Sequence, residues 1–289
     1  MIKSLQSLRF IMALMIFHHH FFMNPQIVQF GTLPVAFFFI LSGFVMSIGY
    51  AEKVRSDKFK YKEFVTKRLI KLLPLNALCL GLWLILPLMS DFVKGSVNYS
   101  TYMWLLPDLL LVQAWIPIKQ IYFSGNAVAW FLSDMFFCYL FFPYLIKMLA
   151  KRWGKMIMIV IVVTYLLLVQ MIEGNYIHSL IYINPFFRVI DFMIGISLCL
   201  MFPVLKEDRK PVLGSFLETT AISITMLSLM AFPFVSWNYS AASFYWIPSI
   251  MLIWAFALSA KFGGGIFLYP QPAILGLSRI TKFSFLYDS

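Results

Sequence analysis

Eight apolar stretches, each long enough to cross a bilayer, constrain this chain more than any single residue does. They cover about 8–23, 33–50, 72–90, 127–146, 156–172, 185–203, 213–233 and 243–260. A helix crosses the hydrocarbon core, ~30 Å thick, with about twenty apolar residues. Lipid offers no hydrogen bonds, so a spanning segment must satisfy its backbone internally, which here means a helix. Composition agrees: 61% of the 289 residues are hydrophobic, only 12% are charged, and the mean hydropathy is +0.84. A soluble domain carries about a quarter charged residues. The expected fold is all-α, a polytopic transmembrane helical bundle of about eight spans forming a single domain over 1–289.

The formal charge of +11 would suggest a nucleic-acid partner in a soluble protein. Its placement gives another explanation. Lys53, Arg55, Lys58, Lys60, Lys62, Lys67, Arg68 and Lys71 lie between the second and third stretches. Lys147, Lys151, Arg152 and Lys155 lie between the fourth and fifth, and Lys206, Arg209 and Lys210 between the sixth and seventh. With Lys3, Arg9, Lys261, Arg279 and Lys282, 20 of the 23 basic residues fall on one side of the membrane. By the positive-inside rule that side, and the N-terminus with it, is cytoplasmic. The charge is then mostly topology, and no nucleic-acid partner is expected.

Segment 102–116, YMWLLPDLLLVQAWI, is apolar but short and interrupted by Pro107 and Asp108. A short outer interfacial or re-entrant helix fits it best. Cys79, Cys138 and Cys199 all sit inside apolar runs, an odd number without metal-ligand spacing, so neither a disulfide framework nor a metal site is expected. The opening residues lack a small-residue cleavage site, and the first stretch is read as a retained span.

In LRFIMALMIFHHHFF, Arg9 and His20 are eleven residues apart. On a helix that is about three turns, roughly 16 Å of rise with almost no angular offset. Ionisable groups in lipid are costly and by default mark a functional site. Imidazole suits a general base acting on an alcohol, whereas three consecutive histidines diverge by ~100° each and cannot share one metal. An interior, hydrogen-bonded histidine is the simpler reading of any one of them. Arg9, Arg68 and Lys71 can equally be interfacial anchors or, with Arg68 and Lys71 three apart beside Pro74, a phosphate site for a nucleotide-bearing donor. Arg188 and Asp191 can neutralise each other at i, i+3 or position a substrate. Asp134 lies at membrane depth with Trp130 and Tyr139 as amphipathic companions, and Ser42–Gly43 forms a small-residue notch.

The order of these pieces resembles the acyltransferase-3 family of integral membrane acyltransferases, which includes bacterial O-antigen, capsule and peptidoglycan O-acetyltransferases. LRFIMALMIFHHHFF resembles its first span, where an Arg is followed after ten residues by a His, selecting His20. GTLPVAFFFILSGF is similar to its FFF-x-LSGF segment. FVTKRLIKLLP is similar to its Phe-x-x-(basic)-Arg-x-x-Arg-x-x-Pro stretch, with Lys71 in the second Arg position. NAVAWFLSDMFFCYLFFP and NPFFRVIDFMIG resemble its Trp-x-Leu-Ser…Tyr-x-x-Phe-Pro and Arg-x-x-Glu-Phe-x-x-Gly spans. There are departures: Asp134 stands one place before the usual acidic position, now Met135, and Asp191 replaces a Glu.

The resemblance implies an O-acyltransferase of the bacterial cytoplasmic (inner) membrane, with acyl-CoA (acetyl-CoA foremost) as co-substrate and no tightly bound cofactor. Arg9, Arg68 and Lys71 would hold the donor phosphates, and His20 would act as general base. A glycan or lipid-linked sugar would meet Ser42, Trp130, Tyr139, Arg188 and Asp191. LSRITKFSF resembles the start of a further span but runs into LYDS. About two spans are then expected to be missing, with 276–289 poorly packed and the chain weakly active or inactive. A transporter or flippase is the alternative, since intramembrane Arg, His and Asp also mark transport paths, although no inverted repeat is visible. The topology is testable. A cysteine placed at Asn175, in the lysine-free 173–184 loop, should react with an impermeant reagent from outside. Protection there, with labelling at position 58, would reverse the orientation.

Overall fold

The computed structural model describes residues 3–22, 29–96, 99–103, 105–202 and 210–262, and every element among them is helical. The long helices are α1 (Lys3–Phe22), α2 (Gln29–Arg55) and α3 (Tyr61–Lys94). Short helices α4 (Tyr99–Met103), α5 (Leu105–Leu109) and α6 (Lys119–Tyr122) lead to α7 (Trp130–Leu149) and α8 (Gly154–Met171). The one-turn α9 (Gly174–Ile177) runs through a π-turn into α10 (Pro185–Met201). It is followed by α11 (Pro211–Ala231), the short α12 (Trp237–Ala242) and α13 (Trp246–Lys261).

Among the described residues, six helices are long and apolar enough to cross a membrane. A seventh span results if Gly174–Tyr182 and Pro185–Met201, bent by 60°, are counted as one. Helix α1 has the length, at 20 residues, but Arg9 and its three histidines make it less apolar than the others. The eight stretches read from the sequence thus each coincide with a helix, and the protein is a multi-pass membrane protein. The short segment expected on the outer side divides into α4, α5 and a single turn at Gln113–Trp115, because Leu111 adopts a left-handed φ of 57° just after α5. The expected packing of 276–289 lies outside the described residues.

The chain divides into two compact units, Met1–Val45 with Ile194–Ser289, and Met46–Met193; the divisions fall within α2 and α10. In the first unit, Leu33, Phe37, Phe39, Ile40, Leu41 and Phe44 of α2 are fully buried. A side chain at Gly195 of α10 would overlap the Ile40 carbonyl, so these two backbones meet with nothing between them, as small residues permit in membrane bundles. Helix α11 buries Gly214, Glu218, Ala221, Thr225 and Ser228. That four-then-three spacing makes one stripe, set against α13. The Lys210 N–H donates to the Phe262 carbonyl at 3.1 Å, joining the start of α11 to the end of α13, and the Ser4 hydroxyl donates to the Phe256 carbonyl at 3.0 Å, tying α1 to the same helix.

In the second unit Phe64 of α3 stacks on Phe142 of α7, with centroids 5.7 Å apart, and Phe192 of α10 closes on Phe142 at 6.2 Å. Helix α3, 34 residues long, buries only Phe64, Arg68, Asn76 and Leu80, a single stripe.

The backbone contact at Gly195 predicts an asymmetry between two glycines. Gly195→Ala should lower thermal stability in detergent by the 1–3 kcal/mol typical of overpacking. Gly49→Ala, where a methyl group meets nothing within 4 Å, should be neutral or stabilise by about 0.5–1 kcal/mol through helix propensity. Melting curves of the two variants test this.

Candidate functional site

Helix α1 turns Ser4, Leu5, Leu8 and Met12 inward. Continuing that stripe by sevens from Leu5 through Met12 arrives at His19, not His20. His19 is half-buried, its ring rests on the backbone of Gly31 in α2, and its Nδ1 is buried without a hydrogen-bond partner. Arg9 is half-buried on the flank of the stripe, and His20 is exposed. The His19 and His20 rings lie 5.1 Å apart, edge to face. His18 instead packs on Phe22 and Phe30, at 4.5 and 5.4 Å. The shared face of Arg9 and His20 is therefore present, next to the packed seam, with His19 inside it. Ser42, also in this unit, is half-buried on α2.

The remaining candidates belong to the second unit. Arg68 is 8% exposed, and its guanidinium sits among three rings: Phe64 at 5.3 Å, Tyr50 at 5.5 Å and Tyr139 at 5.8 Å. It donates to the Tyr50 hydroxyl at 3.2 Å. Cation–π attraction strengthens when the cation is desolvated, so the aromatic residues of α2, α3 and α7 hold this charge without a carboxylate. Lys71 is half-buried one turn further along α3.

Arg188 and Asp191, one turn apart on α10, form a closed ion pair: Nη1 to Oδ2 is 2.6 Å, with the two side chains only 2% and 1% exposed. Arg188 Nε also donates to the Tyr182 carbonyl at 2.7 Å, and the guanidinium lies 4.8 Å from the Tyr182 ring. Trp130 also packs on Tyr182, with ring centroids 5.4 Å apart. Asp134 of α7 is wholly buried, neither carboxylate oxygen is hydrogen-bonded among the described residues, and it feels the charges of both Arg188 and Asp191. The structure thus gathers Trp130, Arg188 and Asp191 around Tyr182, and sets Tyr139 against Arg68.

Three features were missed in the sequence. The inward position of His19 was one, although the seven-residue repeat from Leu5 would have shown it. Tyr182 was another. The third was Glu218, fully buried on α11 with both carboxylate oxygens unpartnered among the described residues; a lone acid inside an apolar stretch was its signal.

The ion pair on α10 predicts a strong non-additivity. Arg188→Met leaves Asp191 buried and uncompensated and should cost roughly 3–5 kcal/mol. Adding Asp191→Asn should recover much of that loss. Equal destabilisation of the single and double variants, read from melting in detergent, would show that the two side chains are not coupled.

Residues 2–285 match the family model described as an acyltransferase domain. Among curated proteins, "Acyltransferase MdmB" of Streptomyces mycarofaciens is 33% identical over 165 residues, covering 52% of this chain and 40% of that protein. The chain therefore spans well under two thirds of that relative's length in the match. No solved structure matches. With the family model covering nearly its whole length, the chain belongs to the acyltransferase-3 family.

Proposed function

We propose that this protein is a membrane O-acyltransferase that takes an acyl group, acetyl foremost, from a cytoplasmic acyl-CoA. Its acceptor is a hydroxyl of a glycan or lipid-linked sugar on the other side of the bacterial inner membrane. The observation that carries this reading is the Arg9–His20 pair along one flank of α1, in a chain matching an acyltransferase domain over residues 2–285. A charged donor headgroup and a proton acceptor about three turns away on one helix suit a substrate that enters from the basic side and reacts deeper in the membrane.

In this reading Arg9, Arg68 and Lys71 bind the donor's phosphates, and His20 accepts the proton of the acceptor hydroxyl. The resulting oxyanion attacks the thioester carbonyl, a C–O bond forms, the C–S bond breaks, and the thiolate of coenzyme A leaves and is protonated. Ser42, Trp130 and Tyr139 would line the acceptor's path. Arg188 and Asp191, closed on each other, serve it by holding Tyr182 and Trp130 in place. The positive-inside asymmetry supports a cytoplasmic N-terminus.

Mass spectrometry of surface glycans from cells with and without the chain is the test. Glycans should gain an acyl mass that is lost with His20→Ala, and Arg9→Ala should raise the KM for acyl-CoA more than it lowers kcat. Unchanged glycans, with ion flux in proteoliposomes, would favour the transport reading instead.

A further inference from the structure

The outer segment is fastened to α3 by three polar side chains that are almost fully enclosed: Asn76, Asp108 and Gln113 are 1%, 0% and 0% exposed. Asn76 donates its amide N–H groups to the Asp108 backbone carbonyl and to Asp108 Oδ1, each at 3.0 Å. The Gln113 amide donates to the same Oδ1 at 3.4 Å. These bonds fix which way both amides point, since reversing either would set a carbonyl oxygen against a carboxylate. What remains is a surplus of acceptors. Asp108 Oδ2, Asn76 Oδ1 and Gln113 Oε1 are all buried, and among the described residues none has a donor at hydrogen-bonding geometry, the Asn126 backbone N–H being the donor nearest the carboxylate. The backbone of Gly125 closes over Oδ2, so that a methyl group there would meet it at 2.6 Å.

No basic side chain pairs with Asp108 among the described residues. Burial raises its carboxyl above the ordinary carboxylate range. The Asn76 hydrogen bond and the nearby Asn126 backbone N–H oppose that only in part. A buried carboxylate with two amide oxygens and no counter-charge is the donor set of a hard cation. It is not that of zinc or iron, which favour imidazole and thiolate; no group of three His, Cys, Asp or Glu side chains exists among the described residues. Nor is it a sugar subsite, because nothing the size of a pyranose can reach side chains this enclosed.

We propose that Asp108, Asn76 and Gln113 bind a hard metal ion of the sodium or calcium class, which pins the outer segment to α3. The ion supplies the positive charge that the carboxylate lacks, where a water molecule would supply two protons and leave it uncompensated. Its shell is completed by water, as hard cations with few protein ligands retain it. The site shares no residue with the proposed acyl-transfer site and does not depend on its assignment.

Scintillation proximity binding of 22Na+ and of 45Ca2+ to the purified full chain in detergent provides the test. One of the two ions should bind saturably and be displaced by its unlabelled form but not by choline. Asp108→Asn should weaken binding by at least ~10-fold, and Asn76→Asp, which adds a second carboxylate, should tighten calcium binding by about the same factor, as charge count does in other oxygen sites. If Asp108→Asn fails to give monodisperse protein, the gain from Asn76→Asp decides the matter. Absence of saturable binding of either ion, or unaltered binding in the variants, would mean that water alone occupies these oxygens and would overturn the proposal.

Discussion

Carrying a charged or hydrogen-bonding group into hydrocarbon or into a protein interior costs several kcal/mol unless its partners travel with it, and the arrangement of this protein follows from that cost. The backbone meets it by becoming helical wherever it crosses. The side chains meet it in three different ways. Arg188 takes an acid from its own helix and a carbonyl from the preceding turn. Arg68 takes no acid and is held by aromatic faces and one hydroxyl. Asp134 and Glu218 are enclosed without a hydrogen bond to either carboxylate.

These choices also separate rigid from adjustable regions. An enclosed ion pair whose arginine also donates from Nε to the Tyr182 carbonyl holds Tyr182, on which Trp130 packs, in one arrangement. His20, exposed at the flank of α1, is restrained by little more than its neighbour His19. In the proposed reading, a base that must meet a substrate would benefit from such access, and the groups lining its surroundings would benefit from being fixed.

The helices were legible in the sequence because lipid imposes a length and an apolarity that a linear reading detects directly. The Arg9–His20 alignment was legible because helical geometry alone determines it. Which imidazole faces inward was not, since that depends on where Gly31 sits, some distance along the chain. The short outer segment was legible as irregular from Pro107 and Asp108. However, its break at Leu111 and its attachment through Asn76 arise from contacts with α3 that no local pattern encodes. The enclosure of Arg188 and Asp191 was foreseen only as one of two alternatives, since spacing permits a pair without requiring its burial.

Helix α3 has a consequence for the surrounding lipid. At 34 residues it is about 51 Å long, well beyond a hydrocarbon core of ~30 Å. Its apolar part, 72–90, accounts for about one such thickness. The preceding turns carry Lys62, Glu63, Lys67, Arg68 and Lys71 and therefore stand roughly 16 Å further along the axis, among headgroups. Basic residues at an anionic leaflet are each stabilised by about 1 kcal/mol. The depth at which α3 rides is thus set by leaflet charge and thickness as much as by the protein. Because α3 touches its own unit along only one stripe, membranes of different lipid composition act directly on the height of Arg68 and its aromatic enclosure.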